Sequence, residues 1–348
     1  MTAEQRRVLV VGAGIAGLSA ARVLQESGCM VQVVDKGRGP GGRVSTRRVI
    51  NGEALTSAEA EWSFDHGAQY FTARDADFQS QIESWHAAGV IAPWRGRLAS
   101  FDSEGRDPVD DTTIRWVGVP AMNRVGRHLA EGLDVTCSRL VSTLQFDVAT
   151  GLWTAALRDL TSTDANDTPG GPWDAVIVTI PPPQALALLP PTASMTSAVA
   201  AVQMEPCWAV LVAFPEHVKA AFDGAFVSSS PLGWVARNSS KPDRAHHDTW
   251  VLHASPEWSA AHVDDHADAV GPFLLNAFGD LLRGPMPRPS HVSAHRWRYA
   301  RAAEPLHLRT LTDARMRLAV AGDWCAGNRV EGAWLSGKAA ASAISALL

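Results

Sequence analysis

Gly12-Ala13-Gly14-Ile15-Ala16-Gly17 is the stretch whose residue types and spacing say most about chemistry. Glycines at these three positions allow a sharp turn at Gly12, close backbone approach to a phosphate at Gly14, and close helix packing at Gly17. A pyrophosphate there would meet unpaired backbone N–H groups and the positive end of a helix dipole. Such a turn needs a strand before it and a helix after it. The apolar run 7–11 and the helical periodicity of 18–25, stopped at Gly28, supply both. A second apolar run, 30–34, closes on Asp35, whose carboxylate could accept from ribose hydroxyls, with Lys36 beside it. Together these predict one βαβ unit of the dinucleotide-binding type.

Two further blocks could approach the same ligand. The segment 36–48 repeats the glycine spacing at Gly37, Gly39 and Gly42, but Pro40 and the doublet Gly41-Gly42 predict a loop folded against a ligand, with no helix. Arg43 could fork onto phosphate oxygens; a flexible solvated loop would explain the same residues. In Phe64-Asp-His-Gly-Ala-Gln-Tyr-Phe71 the small pair Gly67-Ala68 would let a flat ring reach the backbone, although a hairpin with buried aromatics fits equally well.

At the other end of the chain, a strand over 318–321 ends at Gly322-Asp323, and a small-residue helix starts at Arg329-Val330-Glu331-Gly332-Ala333. This arrangement offers a second set of backbone donors, with Asp323 able to reach a polyol or phosphate-linked hydroxyl. A strand over 133–136 brings Val135 beside the first unit.

The 348 residues favour two domains, and 46% apolar with 19% charged residues describes a folded globular protein and excludes a disordered or fibrous one. A net charge of −5 with no long basic block gives nucleic acid no surface. No run apart from the glycine-bearing start approaches a membrane span, and four widely spaced cysteines read as free thiols, so a cytoplasmic protein is expected. Thirteen tryptophans against two tyrosines suit core filling, and in part pockets for flat ligands.

Between the two ends, strands are predicted over 140–146, 152–157 and 173–180, with a helix over 118–132 and a long exposed loop over 161–172. Residues 184–304 read as a more antiparallel region, with strands over 208–214, 232–236, 249–254 and 292–299 and one helix over 259–282. His262 and His266 would share a face of that helix, but the zinc-protease glutamate is missing between them. The acidic first turn of an exposed helix explains them, and no metal is expected.

These blocks resemble the FAD-binding blocks of the glycine-doublet flavoproteins that include amine oxidases. Within that group the chain is most similar to the renalase family, especially its bacterial branch. The narrower resemblance rests on Phe64–Phe71, Leu232–Pro242, Trp250–Ser255 with Trp258, and His295–Ala300. It implies an α/β fold. A discontinuous Rossmann-type FAD-binding domain (1–75, 115–183 and 305–348) would carry an α+β substrate domain on a mostly antiparallel sheet (76–114 and 184–304). FAD would be noncovalent and held by Gly12, Gly14, Ile15, Ala16, Gly17, Asp35, Lys36, Gly42, Arg43, Gly67, Ala68, Gln69, Val135, Gly322, Asp323, Val330, Glu331 and Ala333. Cys325 lies just past the strand, away from where monoamine oxidases attach flavin. Asp35 departs from the longer Glu common in the group.

The implied reaction oxidises the 2- and 6-dihydro isomers of nicotinamide dinucleotides to NAD(P)+ and passes the electrons to O2, giving hydrogen peroxide. Hydride transfer to a flavin needs a stacked donor and excluded water more than an acid or base, which suits a chain with four lysines and no Ser/His/Asp or paired-carboxylate grouping. Gln69, Tyr70, Arg237, His253, Trp297 and Tyr299 are the substrate-site candidates, each of which could equally be a core aromatic or a satisfied polar group. An amine oxidase, which commonly uses an aromatic cage and a lysine-bound water, and a non-catalytic FAD-binding protein are the alternatives. Lys241 is the one lysine in the matching blocks of the second domain.

Overall fold

The computed structural model describes residues 5–50, 61–103, 105–109, 112–164, 166–245, 247–282 and 284–348. Its first layer is a six-stranded sheet in the order Leu311–Asp313, Leu318–Val320, Ala175–Val178, Arg7–Val11, Met30–Val34 and Asp134–Thr136. All pairs are parallel except the one at the 311–313 edge. Parallel strands are covered on both faces, so they read as continuous apolar runs. Val8, Val10 and Ile177 face the first helix, Ile15–Glu26, and the last helix, Val330–Ser345. Leu9, Val11, Val176 and Val178 face Trp153, Leu157 and Trp173 of a three-stranded sheet on the opposite side.

The second layer is a seven-stranded sheet in the order His291–Ala302, Met204–Phe214, Asp248–Ala254, Leu232–Arg237, Gly224–Val227, Leu98–Phe101 and Arg106–Pro108. One face packs Trp208, Val210, Trp250, Leu252 and Val235 against Val270, Leu274 and Phe278 of the helix Ala267–Leu282. The other packs Leu211, Ala213 and Val251 against Trp62 and Phe64 of the hairpin formed by Arg47–Ile50 and Glu61–Phe64. The first layer and the 65–71 loop lie on this second side.

Several elements differ from expectation. The helix expected over 259–282 is two helices, Pro256–Ala261 and Ala267–Leu282, and His262 closes the first by stacking on Trp258 with ring centroids 4.0 Å apart. His262 and His266 therefore do not share one helix face. Half of the loop expected over 161–172 is a strand, Asp167–Trp173, whose Pro and Gly residues are tolerated because it is an edge of the three-stranded sheet. The strand expected over 173–180 shortens to Ala175–Val178, and the helix over 118–132 shortens to Asn123–Ala130.

The segment 76–114 is itself divided. Its helix Ala76–Ala87 is capped by the Asp75 carboxylate and buries Phe78, Ile82 and Trp85 with Trp334 of the last helix, while its strands 98–101 and 106–108 join the seven-stranded sheet. Among the described residues, no helix is long and apolar enough to cross a membrane.

Candidate active site

The glycine turn is shaped by contacts a side chain would destroy. Gly12 sits at φ +107°, and a Cβ on Gly17 would overlap the Gly12 carbonyl oxygen. Gly14 is different: a Cβ there meets nothing within 4 Å. Open space thus faces the first turn of the helix, which starts at Ile15-Ala16 with no side-chain cap and no acidic residue. The N–H groups of such a turn have no intrahelical partner, so a phosphate is the natural acceptor. The second glycine loop closes on this turn. Gly41 N–H donates to the Ala13 carbonyl at 2.8 Å, and a Cβ on Gly42 would lie 3.3 Å from Gly14 Cα. Gly42–Val44 forms a single 3-10 turn where no helix was expected.

Asp35 ends the second strand as predicted, with Val135 in the strand beside it. Its carboxylate accepts from Ala13 N–H at 2.6 Å and Gly37 N–H at 2.5 Å, so it also ties the turn to the following loop. Lys36 is exposed. The last helix enters from the other side. A Cβ on Gly337 would overlap the Ala16 carbonyl, and the missing side chain lets the middle of the last helix lie directly against the first turn of the first helix. Gly322 N–H donates to Ser336 Oγ at 2.9 Å, and the first turn of this helix carries Val330, Glu331 and Ala333.

Two cofactor candidates have protein partners instead of open ends. Arg43 forks onto Asp323, at 3.0 and 2.5 Å, and also donates to the Ala300 carbonyl at 2.9 Å. This ion pair joins the second glycine loop to the C-terminal strand end and holds both cofactor candidates side by side. Glu331 accepts from the N–H groups of Arg74 and Asp75 at 2.6 and 2.7 Å, fastening the last helix to the end of the 65–75 loop.

That loop passes Gly67-Ala68 under the seven-stranded sheet. A Cβ on Gly67 would overlap the Arg43 carbonyl oxygen and would lie 3.4 Å from the Trp297 ring. Strand alternation and pairing set the opposing face. His295 pairs with Ala209, Ala209 with His253, and His253 with Trp234, while Trp297 pairs with Cys207. Trp297 Nε1 and His253 Nε2 lie 2.9 and 3.1 Å from one acceptor, the His66 carbonyl. The His66 ring stacks on Trp297 and meets His295 edge-on. Burial pushes the imidazoles of His66 and His253 down to about 3 and 4, so both are neutral. Tyr299 lies on the same strand, two residues beyond Trp297. Tyr70 packs instead with Trp94 and Trp234, whose buried Nε1 has no partner.

Arg237 is not part of this group. It alternates with Trp234 and Ala236, so its side chain leaves the opposite face, over the Trp250 ring and donating to the Val218 carbonyl, with Asp248 3.6 Å away. It is a core cation, and its candidacy for substrate contact is withdrawn.

Sequence reasoning missed a buried charge cluster. Asp65 is fully buried and accepts from Arg244 at 2.7 Å, Lys241 at 3.3 Å, Thr46 Oγ1 at 2.7 Å and Met122 N–H at 3.0 Å. Burial alone would raise its pKa, but Lys241 and Arg244 reverse this and hold it at about 2. Lys241 spends its three donors on Asp65, Gln69 Oε1 and Asn238 Oδ1, at 3.2 to 3.3 Å, and burial pushes it down to about 8. Gln69 also donates to the carbonyls of Asp65 and Gly67, so it braces the loop from within.

The comparisons with known proteins agree with this geometry. Residues 10–82 match the NAD(P)-binding Rossmann-like domain family, and residues 53–345 match the flavin containing amine oxidoreductase family. A hydroxyneurosporene desaturase from Rubrivivax gelatinosus is 35% identical over 102 residues, covering 28% of this chain and 18% of that protein, so the chain spans under a fifth of this relative. Among solved structures, a candidate protoporphyrinogen oxidase from Exiguobacterium sp. 255-15 shares the fold over 99% of both chains, with TM-score 0.76 and 13% identity. The cyclohexylamine oxidase from Brevibacterium oxydans IH-35A does so over 99% of both chains, with TM-score 0.69 and 13% identity. The open glycine turn, the uncapped helix and the carboxylate at the second strand end fit FAD, and the chain belongs to the flavin containing amine oxidoreductase family.

Proposed function

We propose that this protein is an FAD-dependent oxidase that converts 2- and 6-dihydro isomers of nicotinamide dinucleotides to NAD(P)+, with O2 reduced to H2O2. The observation that carries this reading is the sheet face over Gly67. It presents His253, His295 and Trp297, with Ala209 and Ala236 between them, and none of these five is a carboxylate or a lysine. Nearby Lys241 has no donor to spare for a water. A flat donor that needs only stacking and dryness suits such a face better than an amine that must lose a proton.

Bound FAD supplies the two-electron acceptor for a hydride leaving C2 or C6 of the donor ring, and afterwards the electron pair for O2. The chain does the positioning. Trp297 and His253, locked on the His66 carbonyl, wall the donor ring. The neutral imidazole of His253 stays uncharged throughout the working pH range, and Gly67-Ala68, with no large side chain, would let a bound flavin approach the backbone. The uncapped first turn of the last helix stabilises negative charge by about 0.3–2 kcal/mol. Cys325 is buried, with its thiol pushed up to about 12 by burial, which supports noncovalent FAD.

The test is bleaching of the FAD-loaded protein. Aged NADH that contains the isomers should bleach it, while fresh NADH and a panel of amines leave it yellow. Bleaching by an amine alone would assign an amine oxidase, and no bleaching by any reductant would leave a non-catalytic FAD protein.

A further inference from the structure

We propose that Arg47 and His295 form a subsite for a phosphate of the substrate, so that the donor is a nucleotide or dinucleotide; this rests on the nicotinamide reading above and adds its second point of contact. Arg47 is exposed at the start of its strand, and its polar partner is His295 Nδ1, 3.4 Å away, a long and weak contact. Its neighbour Arg48 pairs with Glu61 at 3.3 Å, but among the described residues no carboxylate lies within ion-pair distance of Arg47. Around it stand His66, His291 and His295. Burial and then the Arg47 charge lower the proton affinity of His291 and His295, and the same charge also acts on His66. All three are therefore neutral rings able to donate an N–H. His66 Nδ1 is buried without a partner, and Ser293, between His291 and His295 on the same face, bonds His291 Nε2 at 2.8 Å.

A guanidinium with neutral N–H and O–H donors around it and no acid favours an anion, through charge-assisted hydrogen bonds stronger than the contact they replace. The position also fits. His295 lies two residues from Trp297 on the same strand face, about 7 Å along the chain, the span of one ribose between a ring and its phosphate. A small cationic amine would gain nothing from Arg47 and would be repelled by it.

The experiment measures binding of NAD+, and separately of inorganic pyrophosphate, to the FAD-loaded protein by calorimetry, for wild type, Arg47→Ala, Arg47→Lys and His295→Gln. Arg47→Ala should weaken both probes about 10- to 100-fold, Arg47→Lys should restore part of the affinity, and FAD content should stay unchanged. Unaltered affinity in Arg47→Ala, or no binding of either probe to wild type, overturns the subsite. Loss of FAD in Arg47→Ala also overturns it, by giving Arg47 to the phosphates of the cofactor. Arg47-dependent pyrophosphate binding in a protein that isomeric dihydronicotinamides fail to bleach keeps the subsite and removes the substrate reading. Bleaching with an unchanged KM in Arg47→Ala does the reverse.

Discussion

Replacing either end of the buried Asp65–Lys241 contact should have very unequal effects. Asp65→Asn leaves Lys241 and Arg244, 0% and 1% exposed, without their shared anion. Breaking a buried ion pair from one side costs about 3–5 kcal/mol because the remaining charge is uncompensated. Lys241→Met removes a charge whose burial already lowers its pKa from 10.5 to about 8, a penalty of about 3 kcal/mol. After that change Asp65 keeps Arg244, Thr46 and the Met122 N–H, and Asn238 Oδ1 keeps the Asp65 N–H. Gln69 Oε1 alone loses its donor, at about 1–3 kcal/mol. The two contributions nearly cancel, so Lys241→Met should lie within about 1–2 kcal/mol of wild type while Asp65→Asn loses at least 3. Urea unfolding of the FAD-free proteins, compared at equal m-values, reads both. A cost for Lys241→Met equal to or above that of Asp65→Asn would refute the charge accounting. The rate of flavin reduction in Lys241→Met is a second readout: a change of a few-fold agrees with a bracing lysine, and a thousand-fold loss would make it part of the chemistry.

The pH dependence follows from the same pair. Asp65 is stabilised as the anion, so its contribution of about 2 kcal/mol is complete above pH 3.8 and lost as pH falls through about 2. Lys241 acts oppositely: between about 8 and 10.5 the unfolded chain holds the proton that the folded chain has released, so stability rises across that window, and Lys241→Met should abolish the rise. Gly14→Ala, at φ −76° with open space beyond, should leave the FAD-free protein within about 0.5 kcal/mol of wild type and lower FAD affinity, because the methyl group fills the cradle. Gly17→Ala should destabilise the FAD-free protein itself by at least about 1–3 kcal/mol; equal behaviour of the two variants in unfolding and FAD titrations would contradict the cradle. His253→Ala and Trp297→Ala should slow single-turnover flavin reduction with FAD retained, and unchanged rates in both would remove them from the site.

The cofactor half of the molecule was legible because its signals are local. Gly12, Gly14, Gly17 and Asp35 sit within one βαβ unit, and each owes its residue type to a turn, an open approach or a packed backbone a few residues away. The buried cluster was not legible: Lys241 and Arg244 reach Asp65 across sequence separations of 176 and 179 residues, and nothing near any of them signals the others. Arg237 is an instructive case between these. Strand alternation alone separates it from Trp234 and Ala236, so once Trp234 is assigned to the face toward the loop, Arg237 must leave it. The same alternation puts His295 and Trp297 on one face and Arg296, which lies over the Trp208 ring, on the other, but it does not carry past the register shift beyond Trp297 to Tyr299. Arg43 and Asp323 illustrate a different limit. Their residue types suit a phosphate and a hydroxyl, but equally suit each other, and only the fold brings the two chain ends within 2.5 Å.

Anaerobic titration of the FAD-loaded protein with separated 2-, 4- and 6-dihydro isomers of NADH and NADPH tests the proposed activity most directly. The account predicts that the flavin absorbance is lost with one equivalent of the 2- or 6-isomer, that NAD(P)+ appears in equal amount, and that air restores the colour with release of H2O2. Flavin that stays oxidised with every isomer, or that is bleached by the ordinary 4-isomer alone, would contradict it.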